Sequence, residues 1–309
     1  MILTITLNAA IDKRLVVKCA KEGEVNRVRE CVYTPGGKGL NVSKVIHISG
    51  ADVLAGGLVG GYAGKYIEHE LDQMGIGNDF YHIQGESRSC INIWDEEKGK
   101  QTEFLEPGFQ VTKDEQEEFF NQYLKQIKEA KVISISGSVP KGIDFELYQR
   151  LITAAKAEGK KVILDTSGEL LVMGLEAKPT LIKPNIDEIR MLTGQACDSM
   201  ESLIDAAIKL HNQGIEYVII SLGGDGSLMV NEDGVYHAKI PKVNAVNTVG
   251  CGDAMVAGLA IGLLKGAPPV ELLKSAASIA SAAAMSEHTG HYDMENRKKM
   301  YHAVKVCKI

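Results

Sequence analysis

From residue 131 onward, short apolar runs rich in β-branched residues alternate with longer stretches in which apolar positions recur at helical spacing. Lys131 to Ile135, Lys160 to Leu164, Thr180 to Ile182 and Tyr217 to Ile220 read as strands, and Phe145 to Ala157, Ser199 to Gln213 and Cys251 to Leu264 as helices. Strands separated by helices pair in parallel through crossovers, which predicts a three-layer α/β/α sandwich. In such a sheet, ligands bind beyond the carboxyl ends of the strands.

The N-terminal part departs from this rhythm. Ile11 to Lys18 and Val28 to Tyr33 read as exposed strands, and Cys90 to Trp94 with Thr102 to Leu105 as a hairpin turned at Glu96-Glu97-Lys98-Gly99-Lys100. The expectation is a small antiparallel β sheet projecting from the sandwich, as a lid over the site or a dimer surface. Helices at Gly39 to Ser49 and Tyr62 to Met74 return the chain to the main body. Repeats and low-complexity segments are absent, so residues 1–309 read as one domain.

Composition narrows the classes. The 309 residues are 45% hydrophobic and 24% charged, which suits a globular chain with a sizeable core. A formal net charge of −6 argues against nucleic-acid binding, which needs a basic face, so any anionic ligand must be held by local groups. The first residues lack a basic, cleavable leader and no apolar run reaches membrane-spanning length, which points to a cytoplasmic protein with no membrane partner. Six cysteines without C-x-x-C spacing predict buried reduced thiols.

The chemistry gathers in glycine-rich turns. Asn247-Thr248-Val249-Gly250-Cys251-Gly252-Asp253-Ala254 opens a long helix of small residues. Backbone N–H groups at such a start can converge on an anion, and a carboxylate beside it suits accepting a proton from an incoming hydroxyl. A tight turn before a packed helix explains the same glycines. Thr34-Pro35-Gly36-Gly37-Lys38-Gly39-Leu40-Asn41 could hold a phosphate or a sugar, or be a turn with a solvated lysine; it lacks the spacing of a Walker A loop. Asp12, after the first strand, can accept from two neighbouring hydroxyls or cap a turn. Arg88 can fork onto a phosphate or lie solvated at an edge. Asn185 and Glu188, three apart, fit either water-mediated Mg²⁺ or a capping box. Ser221-Leu222-Gly223-Gly224-Asp225-Gly226-Ser227 fits a nucleotide against bare backbone or a hairpin turn.

With these motifs in this order, the chain resembles the PfkB branch of the ribokinase-like sugar kinases from Met1 to about Gly290. Thr166-Ser167-Gly168, Ser136-Gly137-Ser138-Val139-Pro140 and Lys183-Pro184-Asn185 are similar to the subgroup acting on phosphorylated ketohexoses, the tagatose-6-phosphate kinases and 1-phosphofructokinases. The stretches Gly39 to His47, Leu58 to Tyr62 and Cys90-Ile91 look most like the former. The resemblance implies a ribokinase-like fold using ATP and Mg²⁺ to phosphorylate a small-molecule sugar phosphate; the exposed lid strands, read on their own, offer a surface for a homodimer. It makes Asp253 the base, and the N–H groups of Gly250, Cys251, Gly252 and Asp253 the anion hole. Asp12, Gly37, Lys38, Asn41, Arg88 and Ser136 would bind the sugar phosphate; Lys183, Ser221, Gly223, Gly226, Thr248 and Ser281 would line the ATP side. Asn185 and Glu188 would position the metal through water. Cys251 stands where the family usually has alanine, a mild change if the anion hole is made of backbone.

Overall fold

The computed structural model describes residues 1–309. In chain order, β1 (Ile2–Thr6), β2 (Ala10–Val17), β3 (Glu30–Gly36), α1 (Lys38–Ile48), β4 (Val53–Gly60), α2 (Gly61–Gln73), β5 (Gly77–Ile83), β6 (Arg88–Asp95), β7 (Lys100–Leu105) and α3 (Lys113–Glu129) form the first part. The second part comprises β8 (Val132–Ser136), α4 (Glu146–Ala157), β9 (Lys161–Asp165), α5 (Gly168–Glu176), β10 (Leu181–Ile182), α6 (Ile186–Thr193), α7 (Met200–Asn212) and β11 (Tyr217–Ser221), followed by β12 (Ser227–Asn231), β13 (Gly234–Lys239), α8 (Cys251–Lys265), α9 (Pro269–Ala284), α10 (Met294–Ala303) and β14 (Lys305–Lys308).

The main sheet runs β14-β13-β12-β11-β10-β9-β8-β1-β4-β5. From β5 to β11 every pairing is parallel, as the strand–helix alternation predicts. Beyond β11 the pairings are antiparallel. The short turns after β11 and β12 have no room for a crossover helix, so the chain can only fold back on itself.

Because successive strand residues point to opposite faces, each strand feeds two cores. Leu3, Ile5, Ile133, Ile135, Val162 and Leu164 meet α3, α4 and α7 on one face. Ile2, Val132, Ile163 and Ile219 meet α1, α8 and α9 on the other. Toward the carboxyl ends the second face turns polar, through Thr4 and Thr6 on β1, Ser134 and Ser136 on β8 and Asp165 on β9. Buried polar groups concentrated at one end of an otherwise apolar layer mark where the sheet meets a site rather than a core.

The second sheet has the order β3-β2-β6-β7. Its outer pairings are antiparallel, but β2 and β6 run parallel with Asp12 opposite Cys90, so the lid is not wholly antiparallel as expected. The reason is topological: β2 follows β1 and β6 follows β5, and both leave the carboxyl ends of parallel strands, so they set out in the same direction. All six cysteines are free, as predicted, yet only Cys197 is buried; Cys31 and Cys307 are exposed. No helix is long and apolar enough to cross a membrane.

Candidate active site

The site forms where α8 begins. Gly250 caps the helix at φ 80°, and a Cβ there would crowd the Thr289 methyl, so both conformation and space demand glycine. The Cys251 N–H goes to the Thr248 carbonyl at 3.3 Å, and the first helical bond is Ala254 N–H to Gly250 at 2.8 Å. That leaves the N–H groups of Gly250, Gly252 and Asp253 without a backbone acceptor at the mouth of the helix. The preceding loop is fixed by Asn247, whose Oδ1 accepts from Val249 N at 2.9 Å and whose amide reaches Thr289 Oγ1 at 3.2 Å.

Asp253 is buried, and its Oδ2 accepts a hydrogen bond from Asn41 Nδ2 at 2.9 Å. Burial, and then the neighbouring Asp165 carboxylate, push its pKa up to about 6 against the opposing pull of Lys38, Asn41 and Lys183. A carboxylate so placed is a stronger base than a solvated one and still ionised near neutral pH. The Cys251 thiol is pushed up to about 11 by burial and by Asp253, so it stays a neutral neighbour.

Glycine-loop residues approach from the other side. Lys38 opens α1 and Asn41 lies one turn on, so both reach the mouth of α8. Gly36 lies against the Asp12 carboxylate so closely that any added side chain would displace it. Asp12 is raised by burial, with Lys44 and Arg88 opposing, and faces a cavity of about 660 Å³. Gly37, Lys38, Asn41, Arg88, Gly250 and Asp253 share that cavity, whose roof is the lid face carrying Arg14, Cys90, Asn92 and Trp94. Arg88 donates from Nε to the Asn8 carbonyl at 3.2 Å and from Nη1 to the Glu106 carbonyl at 3.1 Å. Carbonyls rather than carboxylates hold it, so its charge remains available to an anion.

A second group of predicted residues lies at the ends of β10 and β11. Lys183 follows β10 directly, and its Nζ lies 3.4 Å from where a Gly252 Cβ would be. Asn185 and Ser221 form an isolated parallel bridge, which joins the two strand ends. The turn at Gly223 and Gly226 is the β11–β12 hairpin, one of the two readings its sequence allowed. Gly226, at φ 95°, packs against the Ala238 carbonyl, whereas Gly223 opens onto free space. Thr248 is exposed beside the start of α8.

Asn185 and Glu188 make the capping box of α6: Asn185 Oδ1 accepts from Glu188 N, and Glu188 Oε2 from Asn185 N, both at 2.9 Å. One carboxylate oxygen of Glu188 is left over. Few protein oxygens and a retained water shell are what Mg²⁺ accepts, so the pair fits a water-mediated ion while also opening the helix. Two predicted residues stand apart. Ser136 is fully buried against Ser134 Oγ at 3.2 Å, and Ser281 bonds the Ala277 carbonyl within α9 at 2.8 Å.

Two residues without a sequence-based role are central. Asp165 ends β9 and pairs with both Lys38, at 3.2 Å, and Lys183, at 3.3 Å. Burial disfavours its charge, but Lys183 and Lys38 outweigh it and hold the carboxyl below its ordinary value. Lys44 is buried in α1 and donates to the carbonyls of Pro35, at 2.9 Å, and Thr289, at 3.4 Å. It ties the glycine loop to the segment behind Gly250, and burial lowers its pKa against the pull of Asp12 and Asp253. A charge closing an apolar strand and a lysine on the apolar side of a helix were the available signals.

A buried carboxylate of raised pKa, free helix N–H groups and the cations Lys38 and Arg88 thus meet at one cavity, the set of groups that phosphoryl transfer uses. The sequence matches the pfkB family carbohydrate kinase pattern over residues 4–297. Phosphofructokinase-2 from Escherichia coli in complex with potassium superposes with a TM-score of 0.93 at 28% identity, covering 97% of this chain and 98% of that one. The same enzyme with fructose-6-phosphate gives 0.91 at 27%, with 97% and 98% covered. A Thermotoga maritima protein described as a possible 1-phosphofructokinase gives 0.91 at 28%, with 100% and 99% covered. The chain belongs to the pfkB carbohydrate kinase family, and it is an ATP-dependent sugar-phosphate kinase.

Proposed function

We propose that the enzyme transfers the γ-phosphoryl group of Mg·ATP to the 1-hydroxyl of D-tagatose 6-phosphate, giving the 1,6-bisphosphate. The observation that carries this reading is Asp253, a buried carboxylate between the free N–H groups of α8 and the cavity lined by Asp12, Lys38 and Arg88. Arg88 and Lys38 take the anionic end of the sugar, and Asp12 accepts from its hydroxyls. Asp253 removes the proton of the attacking hydroxyl. The N–H groups of Gly252 and Asp253 receive the charge of the transferred group, while Lys183, Ser221, Gly223 and Thr248 lie along the nucleotide. Mg²⁺, held through water by Asn185 and Glu188, supplies charge neutralisation at the phosphates.

A second reading, a fructose phosphate as acceptor, is favoured by the two phosphofructokinase neighbours. Tagatose and fructose differ only in configuration at C4, so discrimination falls to hydroxyl acceptors such as Asp12. A coupled ADP-release panel with tagatose 6-phosphate, fructose 6-phosphate, fructose 1-phosphate and fructose decides. The expected result is highest kcat/KM with tagatose 6-phosphate. Preference for fructose 1-phosphate reverses the substrate choice, and ADP release with none of the four overturns the kinase mechanism drawn here.

The lid also offers a pairing surface, since Tyr33, Phe104 and Leu105 are exposed on it. We read it as the contact of a homodimer. Phe104→Asp is then expected to convert a dimer to monomer in sedimentation velocity, and an unchanged mass sinks that pairing.

A further inference from the structure

We propose that Asp165 is a positioning residue: its two carboxylate oxygens hold the substrate-side Lys38 and the nucleotide-side Lys183 at fixed places on either side of Asp253, so that the two binding sites are mechanically coupled. The inference rests on the kinase mechanism above and adds to it a residue whose two carboxylate oxygens are both taken by lysines.

The geometry is specific. Asp165 Oδ2 takes Lys38 Nζ at 3.2 Å and Oδ1 takes Lys183 Nζ at 3.3 Å, with the Asp165 side chain only 2% exposed. Neither oxygen faces water, so the carboxylate exists in the fold only because both ammonium groups accompany it. The lysines come from different places, Lys38 from the start of α1 and Lys183 from the loop after β10. The Asp165 side chain projects on the α1 and α8 face of the sheet, as does Ile163 two residues earlier. It therefore rises between the two lysines under the mouth of α8.

A lysine is a flexible four-carbon stem carrying three donors. One donor of each ammonium goes to Asp165, which fixes its direction and leaves two for a phosphate. Lys183 is 6% exposed and Lys38 42%, so the nucleotide-side lysine is locked and the substrate-side one is free to lean toward its ligand. With Asp165 neutralised, two ammonium groups would face each other without a shared anion. They would repel, and the less buried Lys38 would move most. Either substrate thus binds to a lysine whose position depends on the lysine serving the other.

The carboxylate also acts on Asp253 through space. The groups facing Asp253 are Asp165 on β9, Lys38, Asn41 and Lys44 on α1, Lys183 after β10 and Cys251 on its own helix. Asp165 is the charge among them that most favours the protonated form, next after burial itself. Its removal is expected to move the Asp253 titration to lower pH.

The test uses the full-length enzyme with the sugar phosphate that gives the highest ADP release in the panel. Wild type comes first, because no activity there defeats the underlying mechanism and not this inference. Asp165→Asn, isosteric and uncharged, is expected to lower kcat about tenfold, raise KM for both substrates, and shift the acid limb of kcat/KM below its wild-type position near pH 6. A purely structural role would lower the melting temperature and leave that limb in place. Lys38→Met and Lys183→Met provide a reading even if Asp165→Asn fails to fold. Coupling through Asp165 predicts that each raises KM for the opposite substrate as well as for its own. If each lysine variant moves only its own substrate's KM, or if folded Asp165→Asn keeps the wild-type KM values and acid limb, the inference is overturned.

Discussion

Asp253→Asn is expected to lower turnover about 10²- to 10⁴-fold while leaving ATP binding intact, the range lost when a positioned general base is removed. The amide matches the carboxylate in shape and can still accept from Asn41 Nδ2, which the native Oδ2 does at 2.9 Å, so the start of α8 keeps its geometry. It cannot take a proton. Removing a negative charge beside bound phosphates also removes a repulsion, which is why nucleotide affinity should hold or rise. The wild-type enzyme carries a matching pH signature. A base with pKa about 6 is protonated and inactive below that value, so kcat/KM rises with pH through about 6. The variant loses that limb together with the rate. Single-turnover phosphoryl transfer and calorimetric nucleotide titration are the measurements; near wild-type turnover in the variant removes Asp253 as the base.

The same residue shows how far sequence alone reaches. Asp253 and the glycine loop were legible because their chemistry is local: a carboxylate next to glycines at a helix start, and a lysine among glycines before another helix. The parallel body of the sheet was legible for a similar reason, since each strand and the helix after it are neighbours along the chain. What escaped is long-range. Asp165 lies 127 residues from Lys38, and no spacing announces that two lysines from separate loops will close on it. Lys44 stands out as a lysine on the apolar side of its helix, but its partner Thr289 lies 245 residues away and no spacing announces it. The lid's parallel pairing of β2 with β6 depends on both strands leaving the carboxyl ends of parallel strands in the main sheet, a property of topology and not of either strand. Ser136 shares the face of Asp165, its neighbour in register, but is fully buried against Ser134 below the cavity. Asn185 and Glu188 illustrate the opposite limit, where both readings of one pattern fit one geometry: the cap is made, and an oxygen remains for water-bound metal.

Gly36→Ala is expected to lower kcat/KM for the sugar phosphate about 100-fold with nucleotide affinity unchanged, a large effect for one methyl group. The reason is steric and not conformational, since Gly36 has no positive φ and alanine can adopt its backbone. An added Cβ would overlap the Asp12 carboxylate itself. Asp12 cannot retreat easily. Its strand is locked on both sides, with Thr34 opposite on β3 and Cys90 opposite on β6, and its charge is balanced by the buried Lys44 and by Arg88. The carboxylate must then rotate out of the cavity or the glycine loop must lift. Rotation removes a carboxyl acceptor from the sugar hydroxyls, and lifting moves Pro35, whose carbonyl receives Lys44. Rotation, the smaller movement, stays on the acceptor side, whereas lifting would carry Lys38 and, through Asp165, disturb Lys183 as well. Steady-state kinetics with each substrate varied, beside nucleotide titration, separates the outcomes. An unchanged sugar-phosphate KM and kcat would show that Asp12 reads no hydroxyl, and an equal loss of nucleotide affinity would show that the glycine loop serves both substrates.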